Sequence, residues 1–201
     1  MARLYFNLTS PYARKVRVAV IEAGLEGRVE PVECDPWASP PELIAVTPLS
    51  KVPALVTADG LLVTESETIV HALDALAGGH RLLPADPAQR LHTLARSALA
   101  QGLIDASFVS VLEGRRPEPR RWADWVARQH AAIVRALDHV ERRFDLAEDR
   151  FDAGDIGLAC ALGYLDFRLP AIDWRRQHPR QATWFEAVAM RPSMQRTRPD
   201  T

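Results

Sequence analysis

Cysteine is scarce. Cys34 and Cys160 are the only two in 201 residues, they lie far apart, and neither belongs to a CxxC pair. That excludes a disulfide framework and makes a zinc site unexpected. The six histidines show no metal-ligand spacing either, so no metal is expected. An excess of one charge is also missing: 25 Lys and Arg face 26 Asp and Glu, for a net charge of -1. Nothing in that balance invites nucleic acid or an anionic membrane surface. No run approaches the ~20 apolar residues of a membrane span. The opening Arg3-Leu4-Tyr5-Phe6 lacks the apolar stretch and small-residue cleavage site of a signal peptide. A reducing, cytoplasmic setting is the expectation, with both cysteines as inert thiols among apolar neighbours. What the chain does have is apolar material, 47% of its residues, enough for a sizeable core.

The N-terminal part mixes strand and helix signals. Leu4 to Leu8 is short and apolar and reads as a strand. Ser10-Pro11 opens a helical pattern through Val16, Val18, Ala19, Val20 and Ala23, closed by Gly24. Serine before proline suits an N-cap followed by the first helical position, where proline loses no needed hydrogen bond. Val29 to Cys34 alternates as a second strand, residues 35–41 form a loop rich in turn formers, and a short helix is expected near 41–45. Ala54 to Thr57 and Leu61 to Thr64 flank Ala58-Asp59-Gly60, a hairpin signal. Thr64-Glu65-Ser66-Glu67 has the form of a capping box, Thr64 with Glu67, ahead of a helix carrying Ile69, Val70, Leu73 and Leu76.

The predicted order is βαβ(α)ββα over residues 1–78, a mixed sheet with one parallel and one hairpin pair. Residues 79–86 read as a linker, and 87–201 as entirely helical. Long helices are expected over 87–113 and 121–144, the second carrying Trp125, Ala132, Ala136, Val140 and Phe144 on one side. Asp152 and Asp155 predict a capped start for a very apolar helix through Leu158, Ala161, Leu162 and Leu165, ended by Pro170. A last helix runs from Pro179 to Met190.

Three local features could carry chemistry. Thr9-Ser10-Pro11-Tyr12 sits at a strand-to-helix turn, where the positive helix end favours an anion, including a thiolate. The same Ser10 equally serves as a plain N-cap. Val52-Pro53 stands before a strand. A cis bond there would expose the Val52 backbone to an incoming peptide, and a trans bond would be ordinary. Glu65-Ser66 opens a helix. Its amides and the Ser66 hydroxyl suit a carboxylate and Glu65 suits an ammonium, although simple capping accounts for the same residues.

In order and spacing these pieces resemble the glutathione transferase family. Ser10-Pro11-Tyr12-Ala13-Arg14-Lys15-Val16-Arg17 looks like its active-site turn and first helix. Thr47-Pro48-Leu49-Ser50-Lys51-Val52-Pro53-Ala54-Leu55 looks like its segment ahead of the third strand, with Thr47 in place of asparagine. Glu65-Ser66 falls on its glutamate-serine pair, and Asp155-Ile156-Gly157-Leu158-Ala159 on the start of its central C-terminal helix. The resemblance covers nearly the whole chain.

It implies a thioredoxin-like N-terminal domain with a mixed four-stranded sheet, followed by a helical-bundle C-terminal domain. It implies glutathione as co-substrate, with Val52 beside a cis Pro53 bonding the cysteinyl part, Glu65 and Ser66 holding the γ-glutamyl end, and Lys51 reaching the glycine carboxylate. Ser10, or Thr9 one residue earlier, would activate the thiol. Tyr12 and Trp37 could line the place of a small hydrophobic electrophile, and Arg14 could add positive potential near the sulfur. The absence of cysteine at positions 9 and 10 argues against thiol exchange. The implied activity is glutathione transfer in detoxification by a homodimer. A non-catalytic interaction protein and a glutathione-dependent isomerase or peroxidase are the alternatives.

Overall fold

The computed structural model describes residues 1–199, and by its internal contacts the chain forms two compact units. The first comprises Met1–Leu94 together with the segment from Pro192 onward, and the second comprises Ala95–Arg191.

The first unit is built on a sheet of four strands: β1 (Ala2–Phe6), β2 (Val29–Glu33), β3 (Ala54–Val56) and β4 (Leu62–Thr64). Their order is β2-β1-β3-β4. β1 and β2 run parallel, joined through helix α1 (Pro11–Glu22), while β3 is antiparallel to both β1 and β4. The mixed sheet expected from the sequence is therefore present. Tyr5 and Ala54 share one face with Leu43 of α2 (Pro41–Val46), joined there by Val32, Cys34 and Val52. α3 (Ser66–Leu76) packs against α1, β3 and β4. Val16, Val18, Ala19 and Val20 of α1 are all buried; Val18 lies on the opposite side of the helix from Val16, so α1 is covered on more than one face.

Two details of the first unit differ from the expectation. β1 stops at Phe6 rather than Leu8, because the Asn7 side chain takes the Thr9 amide and turns the chain. Thr64 and Glu67 form no capping box: α3 starts at Ser66, its N-cap position is Glu65, and no side chain caps it. Glu67 is drawn instead to the Lys15 ammonium at 2.7 Å. A charged pair with a buried lysine outweighs a cap worth about 1 kcal/mol.

Residues 79–86 do not hang free. The Asp74 carboxylate accepts the backbone amides of His80, Arg81, Leu82 and Leu83, and Leu82 and Leu83 are buried. The contact boundary falls later, after Leu94, inside α4 (Pro87–Gly114). At the other end of the chain, α9 (Pro192–Arg196) packs on α1. The Arg14 guanidinium donates to the Met194 carbonyl at 3.2 Å, and the Ser193 hydroxyl donates to Glu22 at 2.5 Å.

The second unit is helical: the rest of α4, then α5 (Ala123–Arg143), α6 (Ala153–Arg168), α7 (Trp174–Gln177) and α8 (Pro179–Ala189), with a 3-10 turn at Glu118–Arg120. Every residue of α6 from Ala153 to Leu165 is buried, as its uniform apolarity predicts. Its start carries the expected capping box. Asp152 Oδ1 accepts from Gly154 and Asp155 amides, and Asp155 Oδ2 accepts from the Asp152 amide. The buried stripe of α5 runs through Ile133, Leu137 and Val140; of the series beginning at Trp125, Val140 alone belongs to it. The sequence reading missed α7 and α9. No helix of the described residues is long and apolar enough to cross a membrane.

Candidate active site

Sheet register gathers the sequence candidates at one end of the first unit. Tyr5 pairs with Ala54 and Ala54 with Thr64, so the chain after β1, the chain before β3 and the chain after β4 all emerge together. Phe6 pairs with Glu33 in the parallel ladder, which adds the exit of β2 at Cys34. Asn7–Ser10, Cys34, Val52–Pro53 and Glu65–Ser66 are thus brought to the same place, where α1 and α3 also begin. Ligands of α/β sheets bind at such carboxyl ends of parallel strands.

Ser10 is the N-cap of α1. Its Oγ accepts the Ala13 amide at 3.2 Å, its carbonyl accepts the Arg14 amide at 2.9 Å, and Pro11 occupies the first helical position. Among the described residues no acceptor takes the Ser10 hydroxyl proton. Thr9 differs: its amide and its Oγ1 both donate to Asn7 Oδ1, at 3.0 and 2.8 Å. Asn7 Nδ2 donates to the Cys34 carbonyl at 3.4 Å, and the Asn7 carbonyl accepts the Ser10 amide at 3.3 Å. Asn7 lies within the run Leu4 to Leu8 that reads as a strand, so the sequence alone does not single it out. The signal that could have found it is an asparagine two residues ahead of a threonine, the pattern of an Asx-turn.

The Val52–Pro53 bond is cis. Both ladders of β3 begin at Ala54, so Val52 has no strand partner and its backbone polar groups stand outside the sheet pairing. Lys51 is exposed and Pro53 buried. Glu65 is exposed and adopts φ 70°, ψ 120°, a conformation that side-chain-bearing residues seldom take and that costs about 1–3 kcal/mol. Ser66, immediately after it, is 1% exposed. The 11-residue helix α3 thus presents its positive end without a side-chain cap.

The remaining candidates spread out. Tyr12 lies partly buried in the first turn of α1, while Trp37 is 65% exposed on the loop after β2. Arg14 is buried and turned to α9. Tyr5 is a core residue of the sheet. Cys160 is fully buried and Cys34 partly so; burial is the main cause that pushes the Cys34 thiol up, with Asp35, Glu33 and Glu42 adding to it against the Phe6 backbone. Among the described residues no cluster of His, Cys, Asp or Glu has the make-up of a metal site.

This fold, with its strand-end gathering, is that of the glutathione transferases, and the chain belongs to that family. Residues 9–76 match the family's N-terminal domain, described as "Glutathione S-transferase, N-terminal domain", and residues 123–187 match its C-terminal domain. The chain is 33% identical to the uncharacterized GST-like protein YibF of Escherichia coli, over 98% of each chain. It is 38% identical to a glutathione transferase family member from Pseudomonas fluorescens solved with bound glutathione; the match covers 100% of both chains at a TM-score of 0.93. A glutathione S-transferase from Methylobacterium radiotolerans, in complex with glutathione sulfonate, is 36% identical, with 100% of this chain and 95% of that one covered at a TM-score of 0.90.

Proposed function

We propose that this protein binds glutathione at the strand ends of its first unit and transfers it to a small electrophile. The observation that carries the reading is the convergence of an uncapped α3 start, a strand-free Val52 backbone beside cis Pro53, and a Ser10 hydroxyl whose proton is uncommitted. Each piece suits one part of the tripeptide. The α3 amides and the Ser66 hydroxyl receive the γ-glutamyl carboxylate, and Glu65 receives its ammonium. The Val52 amide and carbonyl pair with the cysteinyl residue as one more strand would. Lys51 meets the glycine carboxylate. The relatives solved with glutathione and glutathione sulfonate support the choice of ligand.

Ser10 then faces the sulfur. A free thiol of this type has a pKa of ~8.5 and is mostly protonated at neutral pH. Lowering it by about two units takes roughly 2.7 kcal/mol of preferential thiolate stabilisation. A hydroxyl donated to the charged sulfur contributes about 1.5–3 kcal/mol, and the α1 terminus about 0.3–1 kcal/mol. The two together suffice without a general base. The thiol proton leaves to solvent, the sulfur lone pair forms a C–S bond with the electrophilic carbon, and the displaced pair leaves with the departing group or moves onto the neighbouring carbon.

Calorimetry with reduced glutathione, followed by conjugation assays on wild type and Ser10→Ala, tests the reading. Binding in both, with turnover reduced at least about tenfold in the variant, is expected. Wild-type protein that takes up no glutathione at millimolar concentration would remove the reading altogether. Binding without turnover against carbon electrophiles or peroxides would leave a glutathione-binding interaction protein.

A further inference from the structure

The Asn7 amide has only one orientation that satisfies its surroundings. The Thr9 backbone N–H can only donate and the Cys34 carbonyl can only accept, so Oδ1 faces Thr9 and Nδ2 faces Cys34. Because Oδ1 is an acceptor alone, the 2.8 Å contact to Thr9 Oγ1 fixes the threonine proton on Asn7. Thr9 can accept a further hydrogen bond, but it cannot give one to sulfur. Ser10 is in the opposite condition. Its oxygen accepts the Ala13 amide, which leaves its proton to be donated outward and makes the hydroxyl a stronger donor.

We propose that Asn7 is the positioning residue that selects between the two adjacent hydroxyls: by holding the Thr9 proton it reserves the contact with the thiolate for Ser10. The proposal rests on the glutathione reading above and adds to it a residue that never touches the substrate. A neutral acceptor is what the position calls for. Aspartate would hold Thr9 equally well but would place a negative charge near the developing thiolate.

The test is the pKa of the bound thiol, read from the ultraviolet absorbance of the thiolate against pH, in glutathione complexes first verified by calorimetry. Ser10→Ala is expected to raise it by roughly one to two units. Thr9→Val is expected to move it by only a small fraction of that. In an Asn7→Ala background Thr9 is released to serve as donor, so the further change Ser10→Ala shifts the pKa far less than it does in wild type. Asn7→Asp restores the full Ser10→Ala shift while lifting the starting value. A Thr9→Val shift as large as that of Ser10→Ala overturns the proposal, and so does an undiminished Ser10→Ala shift in the Asn7→Ala background. The Thr9→Val measurement leaves Asn7 intact and decides the matter even if Asn7→Ala does not fold. Wild-type protein that binds no glutathione defeats the underlying reading and this proposal with it. Binding with the wrong hierarchy of shifts defeats this proposal alone.

Discussion

Lys15 and Glu67 tie the starts of α1 and α3 together: the Lys15 ammonium, on a side chain only 1% exposed, lies 2.7 Å from Glu67 Oε1. The pair stands within a turn or two of Ser10 on one helix and directly after Ser66 on the other. It therefore fixes the separation of the two positive helix ends proposed to hold sulfur and carboxylate. The two partners are unequal, because Glu67 keeps 27% of its side chain in contact with solvent. Glu67→Gln removes the carboxylate charge facing a buried ammonium and is expected to lower stability by about 3 kcal/mol, the low end for the loss of a buried ion-pair partner. Lys15→Met leaves a carboxylate that water can reach and should cost about 1–2 kcal/mol. Urea denaturation of both variants checks the order, and a Lys15→Met variant less stable than Glu67→Gln would contradict it.

Glu65 concentrates backbone strain next to Ser66, a residue proposed to hold the γ-glutamyl end. With φ at 70° and ψ at 120°, it sits where a Cβ adds to the backbone strain, an addition that glycine avoids. Glu65→Gly is expected to raise stability by about 1 kcal/mol, the relieved strain being partly offset by the greater freedom of glycine in the unfolded chain. The same change should weaken glutathione binding at least about tenfold by removing the partner of the ammonium group. Glu65→Gln separates the two effects: it keeps the strain and loses the charge. Thermal melting and calorimetry on the pair provide the check. A Glu65→Gly protein that binds as tightly as wild type would show that the carboxylate has no part in the site.

Much of this was legible in the residues alone. The strand and helix order of the first unit follows from local chemistry: Ser10-Pro11 for α1, the Asp59-Gly60 turn for the hairpin, and alternation in β2. The Asp152 and Asp155 box was legible because both partners lie within one turn. What escaped depended on contacts distant in sequence. Lys15 and Glu67 are 52 residues apart, and nothing local told a capping glutamate from one drawn to a buried lysine. The Asp74 clasp on residues 80–83 was hidden for another reason: glycines and prolines mark the end of regular structure but not whether a loop is held. Asn7 was overlooked because apolar neighbours made it look like part of a strand. Sequence left the choice between Ser10 and Thr9 open, since two adjacent hydroxyls differ only in where their protons go.

Cys34 lies at the strand ends with the other candidates, and a thiol at such a place invites a redox reading. Its environment opposes one. Burial is the largest cause raising its pKa, and three neighbouring carboxylates add to it. A raised pKa means less thiolate at any given pH, and the thiolate is the reactive form. Iodoacetamide is therefore expected to alkylate Cys34 more slowly than free cysteine at neutral pH, with the rate still climbing above pH ~8.5, where free cysteine is already half ionised. Mass spectrometry of the labelled peptide against time provides the measurement. A rate faster than that of free cysteine at pH 7 would mark an activated thiol and reopen a thiol-exchange mechanism.

The arginines around the start of α6 make the last prediction. Arg96 pairs with both Asp152 and Asp155, and Arg150 adds a contact to Asp155 at 3.0 Å. Burial nevertheless wins at Asp155: desolvation is the largest cause, and together with the Asp152 charge it leaves the carboxyl above its ordinary value despite both arginines. An acid raised in the folded state binds its proton more tightly there than in the unfolded chain, so lowering the pH relieves its burial cost. Arg96→Leu removes one compensating charge and raises Asp155 further. It is expected to destabilise the protein by about 3–5 kcal/mol at neutral pH, as for a broken buried pair. The deficit relative to wild type should shrink as pH falls from neutral toward ~4, because protonating Asp155 removes the charge that Arg96 was offsetting. Chemical denaturation of both proteins across that range reads it directly. A deficit that stays constant or grows on acidification would mean that Arg96 acts through packing of its aliphatic stem rather than through the two carboxylates.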